Sequence, residues 1–266
     1  MNNKQNIIDY LEQNQEKFAK ISDKIWNNPE IRFELRESAD ALINALANEG
    51  FEIERNIAEM EDAFIATYGS GSPVIGFLGE YDALSNLSQI ADSVEKKPIE
   101  EGACGHGCGH HALGTGSMAA ALAVKQYMLD NNIKGTVKFF GCPAEESGSG
   151  KAFMARAGVF KGVDSMITWH PWTENEIWGT SSLANFQIYF NFKGKSSHAA
   201  ASPHQGRSAL DAAELMNVGV NYLREHIIQE ARVHYAYLDA GGKSPNVVQP
   251  ASSLLYFIRA PKSQQV

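Results

Sequence analysis

The sequence predicts an α/β protein, a mixed and largely parallel sheet flanked by helices, followed by a smaller α+β unit. From Phe51 to Trp169, short β-branched and aromatic runs alternate with helix-type runs, the pattern of strands joined by helical crossovers. From Leu183 onward the order becomes strand, helix, strand, strand, most of a ferredoxin-like sandwich. Side chains of metal-ligand type fall just beyond the ends of the predicted strands, where ligands of open α/β sheets gather.

The elements follow in order. Ile7, Ile8, Leu11, Phe18, Ile21 and Ile25 recur at helical spacing, and Ala39, Leu42, Ile43 and Leu46 do the same before Gly50, so two helices open the chain. Phe51 to Arg55, Ala63 to Tyr68 and Val74 to Leu78 read as strands, the last two separated by the turn-forming Gly69-Ser-Gly-Ser. A loop rich in Asp, Ser, Lys and Pro runs to about Ala103. Ala112 to Leu129 predicts a helix, Thr136 to Phe140 a strand, Ala152 to Ala157 a helix and Ser165 to Trp169 a strand. Beyond these, Leu183 to Phe192, Ala231 to Leu238 and Val247 to Ile258 read as strands, and Gly206 to His226 as a long helix. Domains are expected at 1–182 and 183–266.

Composition limits the function classes. The 266 residues carry a net charge of −8 and no local Lys/Arg cluster, which argues against nucleic acid as a partner. No apolar run approaches the roughly 18 to 20 residues of a membrane span. Met1 to Trp26 is polar throughout and lacks the apolar core of a secretory signal. Three cysteines do not suggest a disulfide framework, and a cytoplasmic location is expected.

His106, Cys108, His110 and His111 stand together in a glycine-rich loop; Glu145-Glu146 and Trp169-His170-Pro171 each follow a short apolar run. Thiolate, imidazole and carboxylate bind borderline divalent metals, and an acidic residue beside them can activate a water, so the set reads as a two-metal hydrolase site. A structural zinc built on Cys104, Cys108, His110 and His111 would want a second Cys/His pair at zinc-site spacing downstream, which the sequence lacks. Cys108 as a nucleophile with a histidine base would leave Glu145-Glu146 without a role. Cys142, at a strand end, reads as a small buried side chain. His204, His226 and His234 have no reading beyond ordinary surface or packing positions.

The runs Gly79-Glu-Tyr-Asp-Ala83, Gly105-His-Gly-Cys-Gly-His110, Gly141-Cys-Pro-Ala-Glu-Glu146 and Thr168-Trp-His-Pro171 resemble the M20 metallopeptidases, in particular their aminoacylase and amidohydrolase branch. Ser244-Pro-Asn-Val-Val-Gln249 and Tyr256 to Pro261 continue the likeness to the last residues. The resemblance implies a zinc-peptidase-like catalytic domain and a ferredoxin-like lid or dimerisation domain. Cys108, His110, Glu146 and His170 match metal-ligand positions for two divalent ions, manganese first, with zinc or cobalt as substitutes. Glu145 matches the general base, and His198, Asn246 and Arg259 match substrate contacts. Asp82 resembles an acidic residue that in other branches orients a metal-bound His two positions earlier; Glu80 stands at that earlier position.

The implied reaction is amide hydrolysis of an N-acyl or aroyl amino acid such as p-aminobenzoyl-glutamate, in a homodimer or a hetero-oligomer with a related subunit. A dipeptidase or general aminoacylase is the alternative within the family. Relatives carry a further ligating histidine near their C-terminus, which nothing after Arg259 supplies. The lid is therefore expected to be incomplete, and an inactive chain is a third expectation.

Overall fold

The computed structural model describes residues 3–266, and the chain divides into two compact units that meet in sequence at Asn175 and Glu176. Residues 176–183 carry no helix or strand, so this division precedes the sequence-based one at 182/183 by a stretch without regular elements.

The first unit opens with three helices, α1 (Asn3–Gln13), α2 (Gln15–Trp26) and α3 (Arg36–Asn48). The first apolar series, expected as one helix, breaks at Asn14. That residue leaves helical geometry (φ −105°, ψ 6°), and its side-chain amide donates to the Tyr10 carbonyl. Asn competes for backbone partners in this way, which is why it favours helix ends. Strands β1 (Glu52–Arg55), β2 (Phe64–Ser70) and β3 (Val74–Glu80) follow. After a long loop come α4 (His110–Asp130), β4 (Gly135–Cys142), the single turn α5 (Glu145–Gly148), α6 (Gly150–Arg156) and β5 (Ser165–Ile167).

The sheet has the order β1-β2-β4-β3-β5, with β3 parallel to both β4 and β5 and β2 antiparallel to β1 and β4. The α/β class expected from the sequence is thus realised as a mixed sheet. Its parallel half brings the C-terminal ends of β3, β4 and β5 to one rim, with Glu80 opposite Cys142 in register.

Side-chain alternation gives this sheet two buried faces. Phe64, Ala66, Val137 and Phe139 point into the core shared with α2, α3 and α4, where Ile25, Leu42, Leu46, Met118 and Leu122 are buried. Ile65, Phe140 and Cys142 point to the opposite face, against Met60 and Met154. A fully buried aromatic such as Phe139 contributes roughly 1.5–3 kcal/mol over an exposed one, and truncation to Ala costs about 3–5 kcal/mol. This two-sided core underlies the rim.

The second unit contains β6 (Ala184–Lys193), α7 (Ala209–Leu223), β7 (Arg232–Asp239) and β8 (Ala251–Ala260). Its antiparallel sheet runs β6-β8-β7. Ser208 caps α7 by accepting from the Asp211 backbone amide, and Ala213, Met216 and Val220 pack on Leu254 and Tyr256. The three cysteines are free. Among the described residues no helix is long and apolar enough to cross a membrane.

Candidate metal centre

The rim formed by β3 and β4 carries most of the predicted site. Helix α4 starts at His110, behind a left-handed Gly109 (φ 81°) whose position a Cβ would crowd against Pro171. One turn on, Gly114 passes so near the Glu80 carbonyl that a Cβ would stand 2.5 Å from its oxygen. A glycine there lets α4 seat on the end of β3 and brings His110 to the carboxylates.

His110 is fully buried. Its Nδ1 lies 2.9 Å from Asp82 Oδ1, and since a carboxylate accepts, Nδ1 carries the proton. Asp82 Oδ2 accepts from the Glu146 backbone amide at 2.9 Å. One buried aspartate therefore ties the end of β3, the start of α4 and the turn α5 together. The sequence identifies Asp82 as an orienting or structural residue; the histidine it holds is His110, from a different segment.

On the other side of the ring, Nε2 faces Glu80 Oε2 at 3.1 Å, Glu145 Oε2 at 3.9 Å and Glu146 Oε1 at 4.0 Å. The turn bearing those last two is bracketed by Ala144 and Ser149, both left-handed at φ 56°. Such backbone costs non-glycine residues about 1–2 kcal/mol each and is a form of strain concentrated at functional sites. Cys108 Sγ lies 3.4 Å from His170 Nε2, and the His170 Nδ1–H donates to the Pro171 carbonyl at 2.9 Å, turning Nε2 toward the thiol. Trp169, its ring against Gly116 and its Nε1–H donating to the Leu113 carbonyl, anchors that segment.

Two groups of possible ligand atoms result, Cys108/His110/His170 and Glu80/His110/Glu145, each within 4.8 Å of one another and sharing His110. His110 Nε2, Glu80 Oε2 and Glu146 Oε1 are buried and lack a hydrogen-bond partner. Three inward-facing acceptors are unfavourable unless a cation or proton joins them. Burial opposes an imidazolium, but Asp82, Glu80 and Glu146 outweigh it and raise the His110 pKa, so the surroundings of this ring favour positive charge. A divalent ion would satisfy all three acceptors at once, so the residues present fit a metal.

The neighbouring titrations agree with this picture. Burial, reinforced by Glu146, Glu145 and Glu80, pushes the Cys108 thiol up to about 12, so a cation must displace its proton before it can ligate. Burial and the charge of Glu80 raise Glu145 above the ordinary carboxylate range, although Lys151 pulls the other way. Beside Cys108 a cleft of about 420 Å³ opens, lined by His106, Gly107, Pro171 and Trp172. A larger apolar cleft of about 520 Å³ lies within the second unit under α7, and it contains none of these donors.

Glu80 and Lys151 are the site residues that sequence reasoning misses. Glu80 ends an apolar strand two residues before Asp82, and that position is the signal from which a ligand role could be read. Lys151 Nζ forms an ion pair with Glu80 Oε1. His106 serves the packing instead. Its ring nitrogen Nε2 donates to the Ile25 carbonyl at 3.1 Å, and its ring stacks near Trp26 and His111.

The expected substrate contacts all lie in the second unit. His198 and Asn246 are brought side by side: His198 bridges Val247, and the Asn246 carbonyl accepts from the Ala199 amide at 3.0 Å. His198 Nδ1 accepts from the Ala200 and Ala201 amides at 3.2 Å, so it closes its own turn. Arg259, its guanidinium over the Phe257 ring, stands at the far end of β8. The eight-residue separation from Ala251 corresponds to about 26 Å along a strand, so the structure does not group it with those two.

Comparison with known proteins identifies the family. The chain is 51% identical to a subunit of the p-aminobenzoyl-glutamate hydrolase of Escherichia coli, over 98% of its own length and 54% of that protein's. It is 30% identical to Xaa-Arg dipeptidase of Mus musculus, over 99% of the chain and 59% of that protein. It therefore spans about half the length of these curated relatives. The crystal structure of an aminobenzoyl-glutamate utilization protein from Klebsiella pneumoniae superposes with a TM-score of 0.67 at 18% identity, over 97% of this chain and 70% of that one, a likeness of fold. Residues 76–246 match peptidase family M20/M25/M40, and the chain belongs to that family.

Proposed function

We propose that this M20/M25/M40 family member is a metal-dependent amidohydrolase acting on N-acyl or aroyl amino acids such as p-aminobenzoyl-glutamate. The single observation that carries the reading is the convergence of three buried, unpartnered acceptors, His110 Nε2, Glu80 Oε2 and Glu146 Oε1, beside Cys108 and His170. The 51% identity to a component of a p-aminobenzoyl-glutamate hydrolase supports the substrate class.

Cys108, His110, Glu146 and His170 would hold two divalent ions, manganese in the first place, with zinc or cobalt as substitutes. Such ions, when bound, would supply polarisation of an amide carbonyl and a lowered pKa for a water. The chain's residues do the rest. Asp82 fixes the His110 tautomer so that Nε2 offers a lone pair. The Pro171 carbonyl does the same for His170. Glu145, half-exposed beside the donors and with a raised pKa, takes a proton from the water and delivers it to the leaving amine. The cleft beside Cys108 has room for an aromatic acyl group.

In this reading residues 1–182 form the catalytic domain and 183–266 the lid or dimerisation domain. His198 and Asn246, on adjoining turns, contact the substrate, and Arg259 assists. A related subunit is the expected partner, since the 51% identical relative is itself named as one subunit of its enzyme. Free cysteines and a thiolate ligand fit the cytoplasm.

The test is release of p-aminobenzoate from p-aminobenzoyl-glutamate by the purified protein, with manganese and with a chelator. Manganese-dependent release is expected. No release, whether or not a related subunit is supplied, would refute the substrate assignment. The likeness to Xaa-Arg dipeptidase favours a second reading, dipeptide hydrolysis, which faster turnover of dipeptides would establish.

A further inference from the structure

Glu80 is a buried carboxylate divided between two neighbours. Oε1 is held by the Lys151 ammonium, while Oε2 lies 3.1 Å from His110 Nε2 and has no hydrogen-bond partner. Only 7% of Glu80 is exposed. A buried charge needs a partner, and an ion pair that served packing alone would leave no oxygen of Glu80 unsatisfied. Here the pair satisfies one oxygen and leaves the other facing the histidine shared by both groups of possible ligands. Lys151 occupies the first turn of α6, five residues after Glu146, so the chain segment that delivers the acidic pair also delivers the cation that fixes Glu80.

We propose that Lys151 is a positioning residue of the metal centre: by holding Glu80 Oε1 it aims Glu80 Oε2 at the cation bound by His110, making Glu80 an additional carboxylate donor. The proposal rests on the metal-site reading given above. It has a distinctive sign. Removing a positive charge beside a cation site would by itself tighten cation binding. Weaker binding on loss of Lys151 therefore reports lost aim, since charge alone predicts the reverse.

The experiment is calorimetric titration of manganese into the metal-free protein, with the visible absorption of cobalt-loaded protein as a second readout. The variants are Lys151→Met, Lys151→Arg, Glu80→Gln and the double Lys151→Met/Glu80→Gln. Lys151→Met is expected to weaken binding about tenfold, the usual scale for residues that orient metal ligands. Lys151→Arg should recover most of that loss. The cobalt spectrum should change alike in Lys151→Met and Glu80→Gln, and the double variant should bind no more weakly than Glu80→Gln alone.

Unchanged or tighter binding in Lys151→Met, or full additivity in the double variant, overturns the proposal. A lower melting temperature for metal-free Lys151→Met with an unaltered cobalt spectrum does the same, because it marks the pair as structural only. Failure of the unaltered protein to bind either metal would remove the metal-site reading itself, so the two failures are distinguishable.

Discussion

The rim of the first unit and the turns of the second hold their candidate residues by different means. At the rim, His110 is fully buried, its Nδ1 is committed to Asp82 while its Nε2 faces the carboxylates, and a two-sided core lies directly beneath. On the turns, His198 and Asn246 are exposed; the His198 ring accepts from the Ala200 and Ala201 amides of its own turn, and the Asn246 carbonyl accepts from the Ala199 amide. Stability and function are therefore entangled at the rim and separable on the turns. Changes at the rim alter a network whose members share partners, whereas changes on the turns remove one side chain and little else.

Glu145→Gln challenges this contrast most severely. It removes the proposed base and keeps the shape, so turnover of p-aminobenzoyl-glutamate should fall about 10²–10⁴-fold with manganese affinity nearly retained. Steady-state kinetics beside calorimetry would show it, and undiminished turnover would cost Glu145 its role.

Protonation probes the rim next. Burial, with help from His111, holds His106 at about 4, below its ordinary 6.5. The unfolded chain therefore binds more protons between those values, so stability is retained above about 6.5 and lost as pH falls toward 4. The loss expected from this 4%-exposed residue is on the order of 3 kcal/mol for the metal-free protein. Urea unfolding at pH 7 and pH 4.5, compared with His106→Gln, measures it; an equally steep acid loss in the variant would assign the effect elsewhere.

Asp82→Asn is expected to act next in size. It weakens the tie between His110 and Glu146, and metal affinity should drop about 10–100-fold. A normal titration curve would mean His110 keeps its orientation without that carboxylate. Smallest is His198→Ala on the second unit's surface. Thermal stability should move by no more than about 0.5 kcal/mol and manganese affinity not at all, with any effect confined to KM. A large stability loss would erase the distinction between rim and turns.

Much of this arrangement is legible in the sequence, for physical reasons that can be traced. Short apolar runs such as Val74 to Leu78 and Thr136 to Phe140 mark strands because both faces of the sheet are buried. Cys108, His110, Glu145, Glu146 and His170 are legible because chemistry restricts the residue types a metal accepts. The break at Asn14 is hidden because the apolar stripe runs on through it while a local side-chain bond decides the backbone. Glu80 carries a local signal in its place two residues before Asp82, but its pairing with Lys151 is hidden because it joins β3 to α6 across 71 positions, and no local pattern encodes it. The placement of Arg259 at the opposite end of β8 from Ala251 follows from strand length, which composition does not mark.

The metal centre is tested most directly by manganese binding to the metal-free protein, followed by titration calorimetry at neutral pH and repeated on His110→Ala. Two ions per chain are expected, with a proton released on binding because the Cys108 thiol, pushed up to about 12, must give its proton up. The variant should lose at least one ion, since His110 Nε2 is the buried donor that lies within reach of both groups. Absence of binding by the unaltered protein, or binding that survives intact in His110→Ala, would contradict a shared two-ion site at this rim.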